Sequence, residues 1–364
     1  MQWRFFLALL FTATLMVCYK SHPPMIDGGE LIDVVVIKDN IADDSYEPTI
    51  DTIDIEDTID TWIDQDATVC HPQREICGDG IDQDCDGVDQ ECYLMVADRC
   101  NDRDEVGLKV YSLDGEFIGY FGDPSIFDIP VILFELDDGH ILVSDWGRGS
   151  IVELDERGLY IDEVYPTRSP QVRMMYQLPD GTILVGTDVC NCYISLYDRN
   201  FNLITERWNQ GGCIDIAASV GRIKLLSDNL LLITSSHWAY SGEPDSILKF
   251  TLDGQYLGLF SDEHLTTWPN ALEVLSNGDV MTFQYSGSAN DPKGLIYDSD
   301  GVFKGYFAIG KEITDLVELP DGDIAAATDF DSVVERYAPD GSYLGIITDD
   351  PCRPISILVG YWEL

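Results

Sequence analysis

The segment Tyr93-Leu94-Met95-Val96-Ala97-Asp98 decides the fold. It has the character of Ile141-Leu142-Val143-Ser144-Asp145 and of Ile183-Leu184-Val185-Gly186-Thr187-Asp188, each a short apolar strand running into an aspartate. The two later copies close a repeating unit, whereas the first stands ahead of any complete unit. The unit reads as a strand, a turn of the Leu-Asp-Gly kind, a second strand, a longer loop, an apolar strand, a second turn and the alternating strand. Its first turn recurs at Asp114-Gly115, Arg157-Gly158, Arg199-Asn200, Asp253-Gly254, Asp300-Gly301 and Asp340-Gly341. Its second begins at Leu136, Leu178, Leu226, Leu275 and Leu319. Glycine and asparagine accept positive φ cheaply, so these dipeptides predict tight hairpins.

Four short strands in a period of about 40 to 54 residues are the signature of propeller blades. A blade cannot bury both of its faces alone, so blades stack around a channel. The segment from Asp340 to Leu364 supplies only the opening half of a unit, and Tyr93–Asp98 supplies a closing strand. Joined, they make a sixth blade and remove a free sheet edge. The expectation is an all-β, six-bladed β-propeller over residues 93–364, closed by N- and C-terminal strands in one blade. Its pattern resembles the NHL-type and related six-bladed propellers from Tyr93 to Leu364, a resemblance that implies a fold and no activity.

Ahead of the propeller lies a cysteine-bracketed segment, residues 70–92, with Asp82, Asp84 and Asp86 alternating before Gly87. Alternating carboxylates converge on one hard cation, and the glycine allows the turn that brings in the next oxygen. Residues 75–92 resemble the MopE-like metal-binding motif and, more distantly, the thrombospondin type 3 calcium repeats. That resemblance implies Asp82, Asp84, Asp86 and Asp89 as ligands, with Asp79 and Glu91 as additional or second-site candidates. The twelfth position of an EF-hand loop would fall on Tyr93, which argues against an EF-hand helix pair.

Cys70, Cys77, Cys85 and Cys92 bracket this loop. Four thiolates can hold zinc, but the C-x-x-C knuckle is missing, and an exported chain favours disulfides. Two disulfides plus calcium is the preferred reading, with three pairings open. Copper, which thiolates or histidines would favour, suits this carboxylate-rich loop poorly. The calcium ion is expected to be structural, since so short a segment cannot bury a core.

Residues 1–18 read as an export signal: Arg4 precedes the apolar run Phe5 to Val17, which is short for a membrane span. Cys18 closes a string that resembles a bacterial lipobox, with Val17 where that pattern wants a small residue. Lipidation at Cys18, plain secretion and an uncleaved anchor all stay open. Residues 19–69 are a low-complexity acidic stretch, including the Thr-Ile-Asp repeats of residues 49–64, and read as a tether. The expected place is the periplasm, the cell surface or outer membrane as a lipoprotein, or the extracellular space.

With 66 acidic and 21 basic residues the formal net charge is -45. Such a surface repels phosphate backbones and anionic lipid, which excludes nucleic acid as a partner and leaves a membrane contact only through a lipid anchor. Ten cysteines fit an oxidising compartment. Cys100 follows the N-terminal strand and Cys352 precedes the C-terminal inner strand, so both fall at one end of the closing blade. Their disulfide would lock the ring, and Cys213 could pair with Cys190 or Cys192 on the same face.

Catalysis finds less support. Metal-dependent lactonases and phosphotriesterases of the gluconolactonase-like group place Glu, Asn and Asp from inner strands on one central metal. Alignment on the turns puts Val131, Arg173, Gly221, Asn270 and Thr314 at equivalent channel-end positions, where only Asn270 suits a hard cation. Asp215 and Asp315 stand nearby in sequence and keep a hydrolase as the alternative. The five histidines show no paired ligand spacing, and no nucleophile elbow or phosphate loop is present.

Asp98, Asp145, Asp188 and Asp329 end strands; they read as turn caps, with a carboxylate ring around one mouth as the rival reading. Trp146, Trp238 and Trp268 read either as an aromatic rim or as packing residues. The preferred function is a non-catalytic binding platform for a protein, peptide or glycan ligand on a propeller face. A structural cell-surface role is the third reading.

Overall fold

A computed structural model describes residues 77–78, 80–82, 85, 87–100, 106–166, 171–187, 194–209, 219–226, 229–236, 246–261, 269–284 and 294–362. Cys18, Cys70, Asp79, Asp84, Asp86, Asp188, Cys190, Cys192, Cys213, Asp215, Trp238 and Trp268 lie outside the described residues, as do the export signal and the tether. The chain divides into two units, Met1–Val69 and Cys70–Leu364.

The first three strands are β1 (Tyr93–Asp98), β2 (Gly107–Ser112) and β3 (Phe117–Tyr120). Blade 2 holds β4 (Pro130–Glu135), β5 (Ile141–Asp145), β6 (Ser150–Leu154) and β7 (Tyr160–Val164). Blade 3 holds β8 (Val172–Gln177), β9 (Ile183–Thr187), β10 (Ile194–Tyr197) and β11 (Leu203–Thr205). Blade 4 holds β12 (Ser219–Leu226), β13 (Leu230–Ser236), β14 (Ser246–Thr251) and β15 (Tyr256–Leu259). Blade 5 holds β16 (Pro269–Val274), β17 (Val280–Gln284), β18 (Gly294–Tyr297) and β19 (Phe303–Phe307). Blade 6 holds β20 (Ile313–Glu318), β21 (Ile324–Thr328), β22 (Val333–Tyr337) and β23 (Tyr343–Thr348). Finally β24 (Pro354–Gly360) pairs with β1, so blade 1 has the order β24-β1-β2-β3. The all-β six-bladed propeller is therefore present, closed as the sequence implied. The hairpin at Asp340-Gly341 belongs to blade 6, and β24 alone crosses into the closing blade.

The core is six slabs, one between each pair of neighbouring blades. In β1, Met95 and Ala97 point into the slab shared with blade 2, while Leu94 and Val96 point into the slab shared with blade 6. The same division places Met281 and Phe283 of β17 against blade 6 and Val280 against blade 4. Side chains alternate along a strand, so a strand buried on both faces must be apolar throughout, which is why the second strand of each unit reads as a continuous run. Outer strands have one covered face, and Phe117, Ile118, Tyr160 and Leu344 on them are exposed.

Glycines in the outer turns fit blade to blade. Gly115 has φ of 90° and Gly254 of 86°. A Cβ on the first would overlap the Ile347 carbonyl oxygen of blade 6, and on the second the Trp208 carbonyl oxygen that follows β11. These turns need glycine for conformation and for close approach at once.

Every inner strand carries one extra residue near its start. The register against the second strand slips at Val131, at Arg173, between Val220 and Ile223, at Asn270, at Thr314 and at Ile355. A bulge re-aims the side chain it adds. These positions therefore ring one end of the channel.

Candidate functional site

Arg222 occupies that channel end. It lies in the β12 bulge, where its amide donates to Thr234 Oγ1 at 2.7 Å. Its Nη2 donates to the carbonyls of Thr314 at 3.0 Å and Ile355 at 3.2 Å, and its Nε stands 3.2 Å from Asp315 Oδ1. Inner strands neighbour one another in the order β24, β4, β8, β12, β16, β20. Arg222 thus reaches past β16 to blades 6 and 1, spanning the channel.

Asp315 is buried, and its second oxygen accepts from Ser356 Oγ at 2.6 Å and from the Ile357 amide at 3.1 Å. Ser356 Oγ in turn accepts the Leu133 amide at 3.3 Å, which ties blades 6, 1 and 2 together. Burial lowers the Arg222 pKa from its ordinary value, with Asp315 opposing the shift. Two residues along β12, Lys224 Nζ meets Glu273 Oε2 at 2.5 Å. Burial pushes Glu273 upward, offset in part by Lys224.

Of the three hydrolase candidates, Asp215 lies outside the described residues, Asn270 is a bulge residue as aligned, and Asp315 is paired with the Arg222 guanidinium. The sequence alignment placed Gly221 at the blade 4 position and missed Arg222. Its signal was the pair Arg222 and Lys224, two cations on one face of an inner strand.

Three more arginines stand at the same end. Arg353 precedes β24 and grips Asp329 through both Nε, at 2.6 Å, and Nη2, at 2.7 Å. Arg99, just after β1, stands 3.9 Å from the same carboxylate. Arg173, on the β8 bulge, lies 4.3 Å above the Trp146 ring, whose Nε1 donates to the Val172 carbonyl at 2.9 Å.

The strand-end aspartates act as caps. Asp98, fully buried, accepts from the amides of Cys352 at 3.1 Å and Arg353 at 2.8 Å, and pairs with Lys109 at 3.0 Å. Burial alone would lower the Lys109 pKa, but the bond and charge of Asp98 turn the shift upward. Asp145 likewise accepts from Asp128, Ile129 and Arg148 amides at 2.7, 3.0 and 3.0 Å. Each holds the turn that enters the inner strand of its own blade. Asp329 is not their equivalent: Thr328 holds their register position opposite Ile313, and Asp329 stands one residue beyond. Beside Asp98, Cys100 and Cys352 form a disulfide with Cα atoms 5.4 Å apart. Asp98, Cys100 and Cys352 are the one ligand-like cluster among the described residues, and the disulfide removes it as a metal site.

In the N-terminal loop Cys77 is bonded to Cys92, with Cα atoms 5.1 Å apart, and Cys85 is disulfide-bonded too. Among the described residues of the loop, these bonded sulfurs leave no thiolate for zinc. Asp89 accepts the Gly78 amide at 2.9 Å with one oxygen and the Gly80 amide at 2.8 Å with the other, while Asp82 accepts from Gly87 at 2.8 Å. Glu91 is exposed beside Cys92, and Tyr93 enters β1 directly, with no helix at that point. Gly78 lies against Cys92 and Pro320 of blade 6. Amide bonds that orient Asp82 and Asp89 leave further lone pairs on each oxygen, so both fit a hard-cation loop.

Among the described residues no helix is long and apolar enough to cross a membrane. No protein-family model matches the sequence, and no curated protein matches it. Solved structures do match. A protein of unknown function from Bacteroides caccae has a TM-score of 0.52 at 12% identity, over 74% of this chain and 99% of that one. A chain of a nidogen/laminin complex has a TM-score of 0.57 at 11% identity, over 75% and 100%. A protein assigned as a gluconolactonase has a TM-score of 0.50 at 14% identity, over 63% and 81%. At these identities the likeness is one of fold, the six-bladed propeller.

Proposed function

We propose that the chain is an exported, non-catalytic binding platform, in which the propeller offers a face to a protein, peptide or glycan ligand and the cysteine-bracketed loop holds a structural calcium ion. The observation that supports this most is Arg222 lying across the channel and neutralising Asp315. A central divalent ion would meet a fixed positive charge there. The gluconolactonase-like neighbour shares the fold, and a fold hosts many activities. Purified protein incubated with lactones and phosphotriesters, with and without calcium, zinc or manganese, should show no turnover above background. Metal-dependent turnover that disappears in Asp315→Asn would sink the platform reading.

For the loop, calcium should be held by Asp82 and Asp89, oriented by their amide donors, with Asp84, Asp86, Asp79 and Glu91 as the remaining candidates. Bound calcium would offset the mutual repulsion of these carboxylates and stiffen the disulfide-bracketed chain ahead of β1. Folded-state binding raises an unfolding midpoint by mass action. The midpoint should therefore rise with calcium over chelator, and the rise should vanish in Asp84→Ala and Asp82→Ala. A calcium effect that survives both variants would move the ion elsewhere.

A further inference from the structure

We propose that the cleft between blades 5 and 6 receives an arginine side chain from a peptide or protein partner. This rests on the binding-platform reading and names the chemistry of its ligand.

A cavity of about 340 Å³ opens between the β16–β17 turn of blade 5 and the β22–β23 turn of blade 6. Ile296 of β18, Gly305 of β19 and Pro339 supply its apolar lining. Its polar groups are Asn277, Asp279, Lys304 and Asp340. All of these belong to the runs 269–284 and 294–362, each described without a break. The volume is at the small end of ligand sites, which run from roughly 300 to 1,000 Å³.

The repeat itself shows what fills this place elsewhere. Turn hydrogen bonds put Asn277 and Asp279 in register with Asp138 and His140 of blade 2, and with Asp321 and Asp323 of blade 6. Between blades 2 and 3, Arg199 of the incoming turn donates to Asp138 Oδ2 at 2.7 Å and to Glu153 Oε1 at 2.9 Å. In blade 6, Arg336 of β22 grips Asp321 and Asp323. The same registers put Pro339 in the place of Arg199 and Ile296 in the place of Arg336. Both positions from which the chain supplies a guanidinium are therefore short and apolar at this seam, and the space is left open. Between blades 3 and 4 the two positions hold Leu196 and Leu252, which pack onto the core instead.

The lining suits an incoming guanidinium. Lys304 bonds Asp279 Oδ2 from the outer strand, and Asp279 Oδ1 has no donor among the described residues. Asp340 Oδ1 accepts the Ser342 amide at 2.9 Å, and the bonds from Ser342 hold its carboxyl below the usual range. Two carboxylates thus face one ammonium within the lining. An arginine lays its methylene stem on apolar surface and offers carboxylates a planar fork of donors, which a lysine lacks. A net charge of -45 draws a basic segment toward the chain. At the sister seam burial alone would lower the Arg199 pKa, but the bonds to Glu153 and Asp138 turn the shift upward, so that site favours the charged form.

Calorimetric titration of the full chain tests this with three capped tripeptides: Gly-Arg-Gly, its neutral citrulline isostere and Gly-Lys-Gly. We expect the arginine peptide to bind at least about tenfold tighter than either of the others. Each variant borrows a residue that the repeat already carries at the same position. Pro339→Arg, after Arg199, should fill the cavity from within and weaken binding of the arginine peptide by about tenfold or more. Asp340→Asn, after Asn200, should weaken it by about threefold. Citrulline or lysine binding as tightly as arginine, no binding of the arginine peptide, or undiminished binding by Pro339→Arg would each overturn the site. Should Pro339→Arg melt below the wild type, Asp340→Asn decides, and an unchanged affinity in that variant overturns the site as well. All of these failures leave the platform reading standing, because that reading falls by the turnover assay.

Discussion

Replacing Arg222 by methionine tests the plugged channel most directly. The substitution keeps much of the side-chain volume and removes the charge. It leaves Asp315 buried with Ser356 Oγ and the Ile357 amide as its remaining donors, and it strips the Thr314 and Ile355 carbonyls of theirs. Breaking a buried ion pair by removing one partner costs about 3 to 5 kcal/mol. The two surviving donors place the expected loss near the lower end, about 3 kcal/mol. For a domain of this size that corresponds to a fall of roughly 6 to 12 °C in melting temperature. Removing both partners is far milder than removing one, so Arg222→Met with Asp315→Asn should recover most of the loss. Scanning calorimetry on wild type, both single variants and the double variant gives the coupling. If Arg222→Met melts with wild type, or the double variant melts no higher than the single, the Arg222–Asp315 bridge does not hold the channel and the argument against a central metal loses its footing.

Gly115→Ala should lose more than about 3 kcal/mol, because positive φ costs roughly 1 to 2 and the new Cβ also meets Ile347 across the closing seam. Gly181→Ala, at φ of 83° but with open space, should lose only the first part; equal losses in urea unfolding would contradict the seam's tightness. Cys352→Ser opens a ring whose cysteines are 252 residues apart, for which the chain-entropy model gives about 5 kcal/mol, and an unchanged midpoint in this variant would show that the disulfide adds nothing. The hydrogen bonds of Arg148 hold Glu163 down to about 2. A carboxylate depressed in the folded state stabilises above its unfolded pKa of about 4.3 and loses that stabilisation as pH falls toward 2. In Arg148→Ala the Glu163 titration followed by NMR should return toward the ordinary glutamate value; a titration that stays near 2 would refute the assignment.

The repeat carried the fold because turn glycines and doubly buried strands leave a pattern in the chain. Tyr93–Asp98 announced the closing blade since its alternate residues serve two slabs. The phase of the repeat did not announce that β23 stays with blade 6, because nothing local marks which hairpin crosses a seam. Alignment on turns found four of the six bulge residues, Val131, Arg173, Asn270 and Thr314, but in blade 4 it picked Gly221, since counting from a turn does not fix which residue a bulge turns toward the axis. Asp98 and Asp145 were legible as caps because each ends its strand. Asp329 looked alike in sequence and differs by one register position, which only the pairing partner Ile313 exposes. The loop acids Asp82 and Asp89 stood out in the sequence as part of an acidic pattern, whereas the amides of Gly78, Gly80 and Gly87 that hold them were hidden in backbone geometry.

The lone crossing strand also sets a timetable. During synthesis β1, β2 and β3 are complete before any other strand of the propeller exists, yet the inner edge of β1 waits for β24, the twenty-fourth described strand in order. Until β24 emerges, Asp98 has no Cys352 or Arg353 amides to hold, and Arg222 lacks its Ile355 carbonyl. Synthesis that ends anywhere before Cys352 would leave a chain with an open sheet edge and no partner cysteine for Cys100, a species readily distinguished by chaperones and proteases from the finished ring.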